Sequence, residues 1–302
     1  MKKFLCAFLF VAVMCSVCNA SEKNAVNAGT LTYLGTTESE FQEGLDDLRK
    51  ALSPLIPADD SEIMNDDSLE GFFMDIVKTR RVIHFYDNLL SMQMALRSAR
   101  LDEIALPEAV GMYLVSNNPK YEIIFSLNMM PSMISFGFKQ GNTALQKEFN
   151  AAIASMKKDG TLARLERKYI DEFSDKHERI KFQSFDGADV VKVAVTGDLP
   201  PIDFIASDGT PTGYNTAILS EIGKRIKKNI RLISVDTGGR SAALVSERAD
   251  VIFWYRNTEG LNVPAKAKGN NLKNVMKDTS EGIIFSDPYY EWDTDLVIGI
   301  AR

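Results

Sequence analysis

Between Val191 and Trp254 the chain switches repeatedly between two hydrophobic periods. Val191 to Val195 reads as a strand, Asp208-Gly209 as a turn, and Asn215 to Lys227 as an amphipathic helix. Residues 230–235, 239–247 and 250–254 then read as strand, helix and strand. Strands separated by helices must be joined by crossovers, which predicts largely parallel sheets and an α/β fold. The first half carries the same alternation. Leu31–Leu34, Val82–Tyr86 and Asp102–Leu106 read as strands, with helical spacing at Phe41, Leu45, Leu48 and Leu52 and again from Asn88 to about Ala99. Tyr113–Val115 and Tyr121–Phe125 read as further strand runs, Ser132–Phe138 as a strand-like bridge, and the acidic, proline-interrupted Pro54–Asp67 as a loop.

The clearest helical stretch is 141–173. Asn142 or Thr143 can cap it, Leu145, Phe149, Ile153 and Met156 share one face, and Lys157-Lys158 suit its C-terminal end. Asp159-Gly160 breaks it, and Thr161 opens a second helix with Leu162, Leu165 and Tyr169 on one side. The polar, turn-rich residues 174–190 read as a linker.

Residues 1–20 have the layout of a secretory signal peptide: Lys2-Lys3, an apolar run from Phe4 to Val17, then small residues before Ser21. The predicted location is therefore the periplasm or the exterior. Lipidation at Cys15 or Cys18 is a second reading, which bulky Met14 and Val17 disfavour. All three cysteines (Cys6, Cys15, Cys18) fall in this segment, so the mature chain is expected to lack disulfides, a cysteine nucleophile and cysteine-ligated metal. The roughly 280 residues beyond it suffice for one large domain or two ordinary ones. Without Lys2 and Lys3 the charge is 33 basic against 41 acidic residues, which argues against nucleic acid or anionic lipid as partners.

Signs of catalysis are few. His84 and His177 are the only histidines, and no Gly-x-Ser-x-Gly elbow or metal-ligand spacing occurs. The acid pairs Asp46-Asp47 and Asp59-Asp60 read as solvated charges. No cofactor is expected.

Several segments resemble the extracytoplasmic solute-binding proteins of ABC importers, in the branch for polar amino acids. Pro200-Pro201-Ile202 stands where that family has Pro-Pro-Phe, and Gly209 to Asn215 where it has Gly-Lys-x-x-Gly-Phe-Asp. Ala243-Leu244 to Asp250 matches Ala-Leu-x-x-Gly-x-x-Asp, and Phe285 to Tyr289 matches Phe-Ser-x-Pro-Tyr. Residues 138–169 are similar to the helices that end such proteins, and 86–106 to the middle of their second lobe. The resemblance implies an α/β, type II periplasmic-binding-protein fold of two lobes joined by hinge strands. Its order departs from the family's, in which the Pro-Pro lobe comes first. Joining the two ends of this chain would restore that order, so the sequence reads as a circular permutant; a partial tandem fusion is the alternative.

On that reading 1–20 is the signal peptide, 21–131 the second lobe, 132–138 a hinge strand, and 139–173 the terminal helices packing on the first lobe. Residues 174–190 are the linker, 191–293 the first lobe and 294–302 the outgoing hinge strand. The resemblance implies a monomer that captures a small polar or carboxylate-bearing solute between the lobes, with an ABC permease as partner. A sensor or interaction module that has lost binding is the alternative, and an enzyme on the same fold a lesser one. The implied ligand contacts are Thr36 and Thr37 at an anion-holding helix start, Glu108, Phe204 in place of the aromatic after Pro-Pro, and Tyr214. Trp254, Tyr255 and Arg256 form an aromatic and cationic strand end, and Arg240 or Arg256 substitutes for the arginine that clamps a carboxylate. Tyr289 and Tyr290 are expected to pack the hinge.

Overall fold

The computed structural model describes residues 26–31, 81–172, 179–206, 208–236, 239–257 and 282–301. The leader, Thr36, Thr37, His177 and both acid pairs lie outside them.

Three parallel strands, β1 (Val26–Leu31), β2 (Arg81–Tyr86) and β3 (Glu103–Pro107), alternate with helices α1 (Leu89–Arg97) and α2 (Glu108–Asn117). β4 (Tyr121–Lys139) then runs 19 residues. It leads into α3 (Thr143–Lys158), α4 (Thr161–Glu166) and a π turn at Arg167–Asp171. The second set comprises β5 (Val190–Val195), β6 (Asp198–Leu199), β7 (Asp203–Ile205), β8 (Pro211–Thr212), α5 (Tyr214–Ile226), β9 (Asn229–Ser234), α6 (Arg240–Val245) and β10 (Val251–Asn257). β11 (Ile283–Phe285) and β12 (Tyr290–Ile300) complete the chain.

The main sheet runs β2-β1-β3-β12-β4-β10-β5-β9, with β11 also on β4, and β6-β7-β8 form a small separate sheet. β4 and β12 are antiparallel to each other and belong to both halves. Their 121–128 and 294–300 portions pair within one lobe, whereas Met133 to Lys139 pairs with β10 and β11 in the other. Each lobe has the same plan, with its parallel strands ordered second, first, third. The third strand borders a strand arriving from the other lobe, β12 in one case and β4 in the other. At the outer edge of the first-described lobe, the start of β1 and the end of β12 flank β3. Asn27 N donates to Asp102 Oδ2 at 2.7 Å, and Ile298 faces Ile104.

Local chemistry explains the element ends. Asn88 Oδ1 accepts from Ser91 N at 2.8 Å and caps α1, which buries Leu89, Met92, Ala95 and Leu96. α3 buries Leu145, Phe149, Ala152, Ile153 and Met156, and stops where Gly160 takes a left-handed φ of 75°. Beneath the crossing strands sits an aromatic cluster. Phe136 stacks on Tyr289 at 4.4 Å and meets Phe149 edge-on at 5.2 Å, and Tyr290 packs between Tyr214 and Trp292. Tyr289 and Tyr290 are thus hinge packing.

Three sequence expectations change. The first strand begins at Val26 rather than Leu31. The bridge at 132–138 is the second half of a far longer strand. Tyr113–Val115 lies in a helix, not a strand: α2 buries Ala109, Val110, Gly111 and Leu114. It packs so tightly on β12 that a Cβ on Gly111 would lie 2.9 Å from Leu296 Cβ.

Candidate functional site

The carboxyl ends of β2 and β3 point toward the crossing strands, since Pro107 pairs with Asp295 near the middle of β12. The carboxyl end of β10 does the same from the other side, where Asn257 pairs with Met133. The two lobes therefore oppose their carboxyl strand ends across the hinge, which is where ligands bind in open α/β sheets. The helix starts that follow these strands, and the loops after β5, face one another there.

From the lobe of β1–β3 come Asn88 and Leu89 at the start of α1, and Glu108, exposed at the start of α2. From the other lobe come Asp198 and Phe204. Contact is direct: Phe204 and Tyr113 of α2 pack with ring centroids 6.1 Å apart, and Asp198 Oδ2 accepts from Leu89 N at 3.0 Å. The loop that carries Asp198 is shaped by Asp203, which is buried and whose Oδ2 accepts from Thr196 N, Thr196 Oγ1 and Gly197 N, each at 2.9 Å. Burial pushes the Asp203 carboxyl up to about 6, against the lowering effect of those three donors.

The sequence-predicted contacts divide. Glu108 and Phe204 stand at the opposed edges. Trp254, Tyr255 and Arg256 occupy the carboxyl half of β10, the edge nearest the hinge. Tyr214 instead lies wholly inside the core, donating from its hydroxyl to Tyr289 O at 3.1 Å, and burial raises its pKa. Arg240 is 1% exposed and its Nη1 donates to Phe253 O at 2.8 Å. Both side chains are thus buried and engaged within their own lobe. A helix start at Gly213 places Tyr214 on the inner face of α5, and the six-residue α6 turns Arg240 back onto β10. The first amides of α5 are also spent, Tyr214 N on Pro201 O and Asn215 N on Ile202 O.

The sequence profile of the bacterial extracellular solute-binding proteins, family 3, matches residues 55–172 and 191–259, more than half of the chain. The chain belongs to this family. Among solved structures it is similar to the ligand-binding component of an ABC-type import system from Staphylococcus aureus with zinc bound, at 11% identity and a TM-score of 0.39, covering 92% of this chain and 66% of that one. It is also similar to the periplasmic aliphatic sulphonate binding protein of Escherichia coli, at 8% identity, TM-score 0.38, 92% and 66% coverage. A putative lipoprotein from Clostridium difficile gives 10% identity, TM-score 0.39, 93% and 85% coverage. The chain thus spans just under two thirds of the first two. No curated protein sequence matches it.

Family membership makes this a two-lobed binding protein of extracellular type. Among the described residues no helix is long and apolar enough to cross a membrane, and no cluster of three or more His, Cys, Asp or Glu side chains could hold a metal ion. Sequence reasoning did not place Asn88, Tyr113 and Asp198 at the site. Asn88 carried a cap signal directly before an apolar period. Asp198 carried only its position directly after Gly197, just beyond the end of β5.

Proposed function

We propose that this family member captures a small polar or carboxylate-bearing, amino-acid-like solute between its lobes and delivers it, as a monomer, to an ABC permease. The observation that carries the reading is that aromatic and acidic side chains from both lobes converge where the carboxyl strand ends oppose one another, typified by Phe204 against Tyr113. Binding between two lobes on crossing strands suits hinge closure around a ligand. Arg256 is the carboxylate clamp in this reading, because Arg240 is engaged in the core and a guanidinium fork donates two parallel bonds to a carboxylate. Titration calorimetry with a carboxylate-bearing solute checks it: Arg256→Ala is expected to weaken binding about tenfold or more, some 1.4 kcal/mol. An unchanged affinity would put the clamp elsewhere.

A second reading, a sensor or interaction module without solute binding, is favoured by one observation: Tyr214 and Arg240 are sealed in the core. We also propose that the chain is circularly permuted relative to its family, with lobes at 21–131 and 191–293. Support comes from β12, which crosses from the β5–β10 lobe to end beside β3, one strand from the start of β1. Cuts are tolerated where ends lie close together. A variant with its present ends joined by a short glycine-serine linker, and new ends opened within 174–190, is expected to fold with stability within about 2 kcal/mol of the parent. Denaturant unfolding measures this, and a variant that does not fold would contradict the proposal.

A further inference from the structure

One polar contact between the lobes joins a carboxylate to a helix start. Asp198 lies in β6, just beyond β5, and its Oδ2 accepts the Leu89 amide at 3.0 Å. Leu89 is the first residue of α1, so this amide is one of the donors that a helix leaves without an internal partner. Two later amides of the same turn are met within their own lobe: Ser91 N donates to Asn88 Oδ1 and Met92 N to Asn88 O. The bond to Leu89 N, by contrast, comes from a carboxylate 109 residues away in the opposite lobe. A negative charge at a helix start is favoured by the helix dipole as well as by the bond itself.

The other carboxylate oxygen tells a different story. Asp198 Oδ1 is buried and has no hydrogen-bond partner among the described residues. Leaving a buried charged acceptor unmet is unfavourable, and water meets it as soon as the lobes part. The contact is therefore half satisfied: one oxygen holds the lobes together while the other favours their separation. Asp203 fixes the geometry, since its three accepted bonds set the Thr196-Gly197 turn that presents Asp198.

We infer that Asp198 is an intramolecular latch, which draws the two lobes together across the α1 start and must release before a solute can enter. The inference rests on the reading of the cleft as the solute site, but its test does not need a solute. Small-angle scattering of the purified, dialysed protein compares the parent with Asp198→Ala and Asp198→Asn. Hydrogen exchange reports the Leu89 amide in the same samples, and circular dichroism melts establish that all three are folded.

The latch predicts a larger radius of gyration for Asp198→Ala than for the parent, with at least tenfold faster exchange at Leu89. Asp198→Asn, which keeps an acceptor oxygen but loses the charge, falls between them. Equal radii for parent and Asp198→Ala, with both folded, would overturn the latch; so would exchange at Leu89 that ignores the substitution. Opening of Asp198→Ala with no solute found by titration would keep the latch and remove the solute-binding reading. A bound solute with unchanged radii would do the reverse.

Discussion

Phe136→Ala is expected to lower the free energy of unfolding by about 3–5 kcal/mol. Phe136 lies fully buried in β4 at the crossing, stacked on Tyr289 and edge-on to Phe149. Truncation removes the transfer energy of a large ring and leaves a cavity whose walls are themselves rigid aromatics. The site cannot collapse readily: Tyr289 is pinned by its hydroxyl to Asn215 Oδ1 and Phe149 by α3, whose Gln146 also donates to Phe285 O. Urea unfolding measures the loss. A cost below about 1.5 kcal/mol would mean that this cluster is not the structural centre of the hinge.

Gly213→Ala is the second, at about 2–6 kcal/mol. Gly213 has φ of 93°, a region in which an L side chain is strained by about 1–3 kcal/mol. A Cβ there would stand 2.7 Å from Pro201 O and 2.8 Å from Ile202 O. Those carbonyls are backbone and also accept the first two amides of α5, so they cannot retreat without breaking bonds. Strain and overpacking add, the latter at about 1–3 kcal/mol. The same denaturation experiment reads the result. A near-neutral substitution would show that the 201–213 turn is held less tightly than its hydrogen bonds imply.

Much of the fold was legible because periodicity and punctuation agreed. Leu145, Phe149, Ile153 and Met156 with Asp159-Gly160 located α3 closely, and β-branched runs located β2, β5 and β10. Where local signals conflicted the reading failed. The α2 segment is apolar on several sides, so Tyr113–Val115 offered no helical period. β4 carries Asn128 and Pro131 midway, residues that ordinarily interrupt a strand, and so it was read as separate pieces. The site was harder still. A sequence states that Arg240 and Tyr214 flank the right strand ends, but not that α5 and α6 turn them inward. The Asp198 contact joins residues 109 apart, and no local pattern encodes such a pairing; only the meeting of two lobes creates it.

The central claim, that the lobes close on a small solute, is tested most directly by thermal unfolding in the presence of amino acids, dicarboxylates and nucleobase-like compounds at millimolar concentration. A solute present at 100 times its dissociation constant stabilises by about 2.7 kcal/mol. In a protein of this size that raises the melting temperature by about 5 °C or more. At least one polar, carboxylate-bearing compound is expected to produce such a rise. A melting temperature that no compound in the panel moves would contradict it.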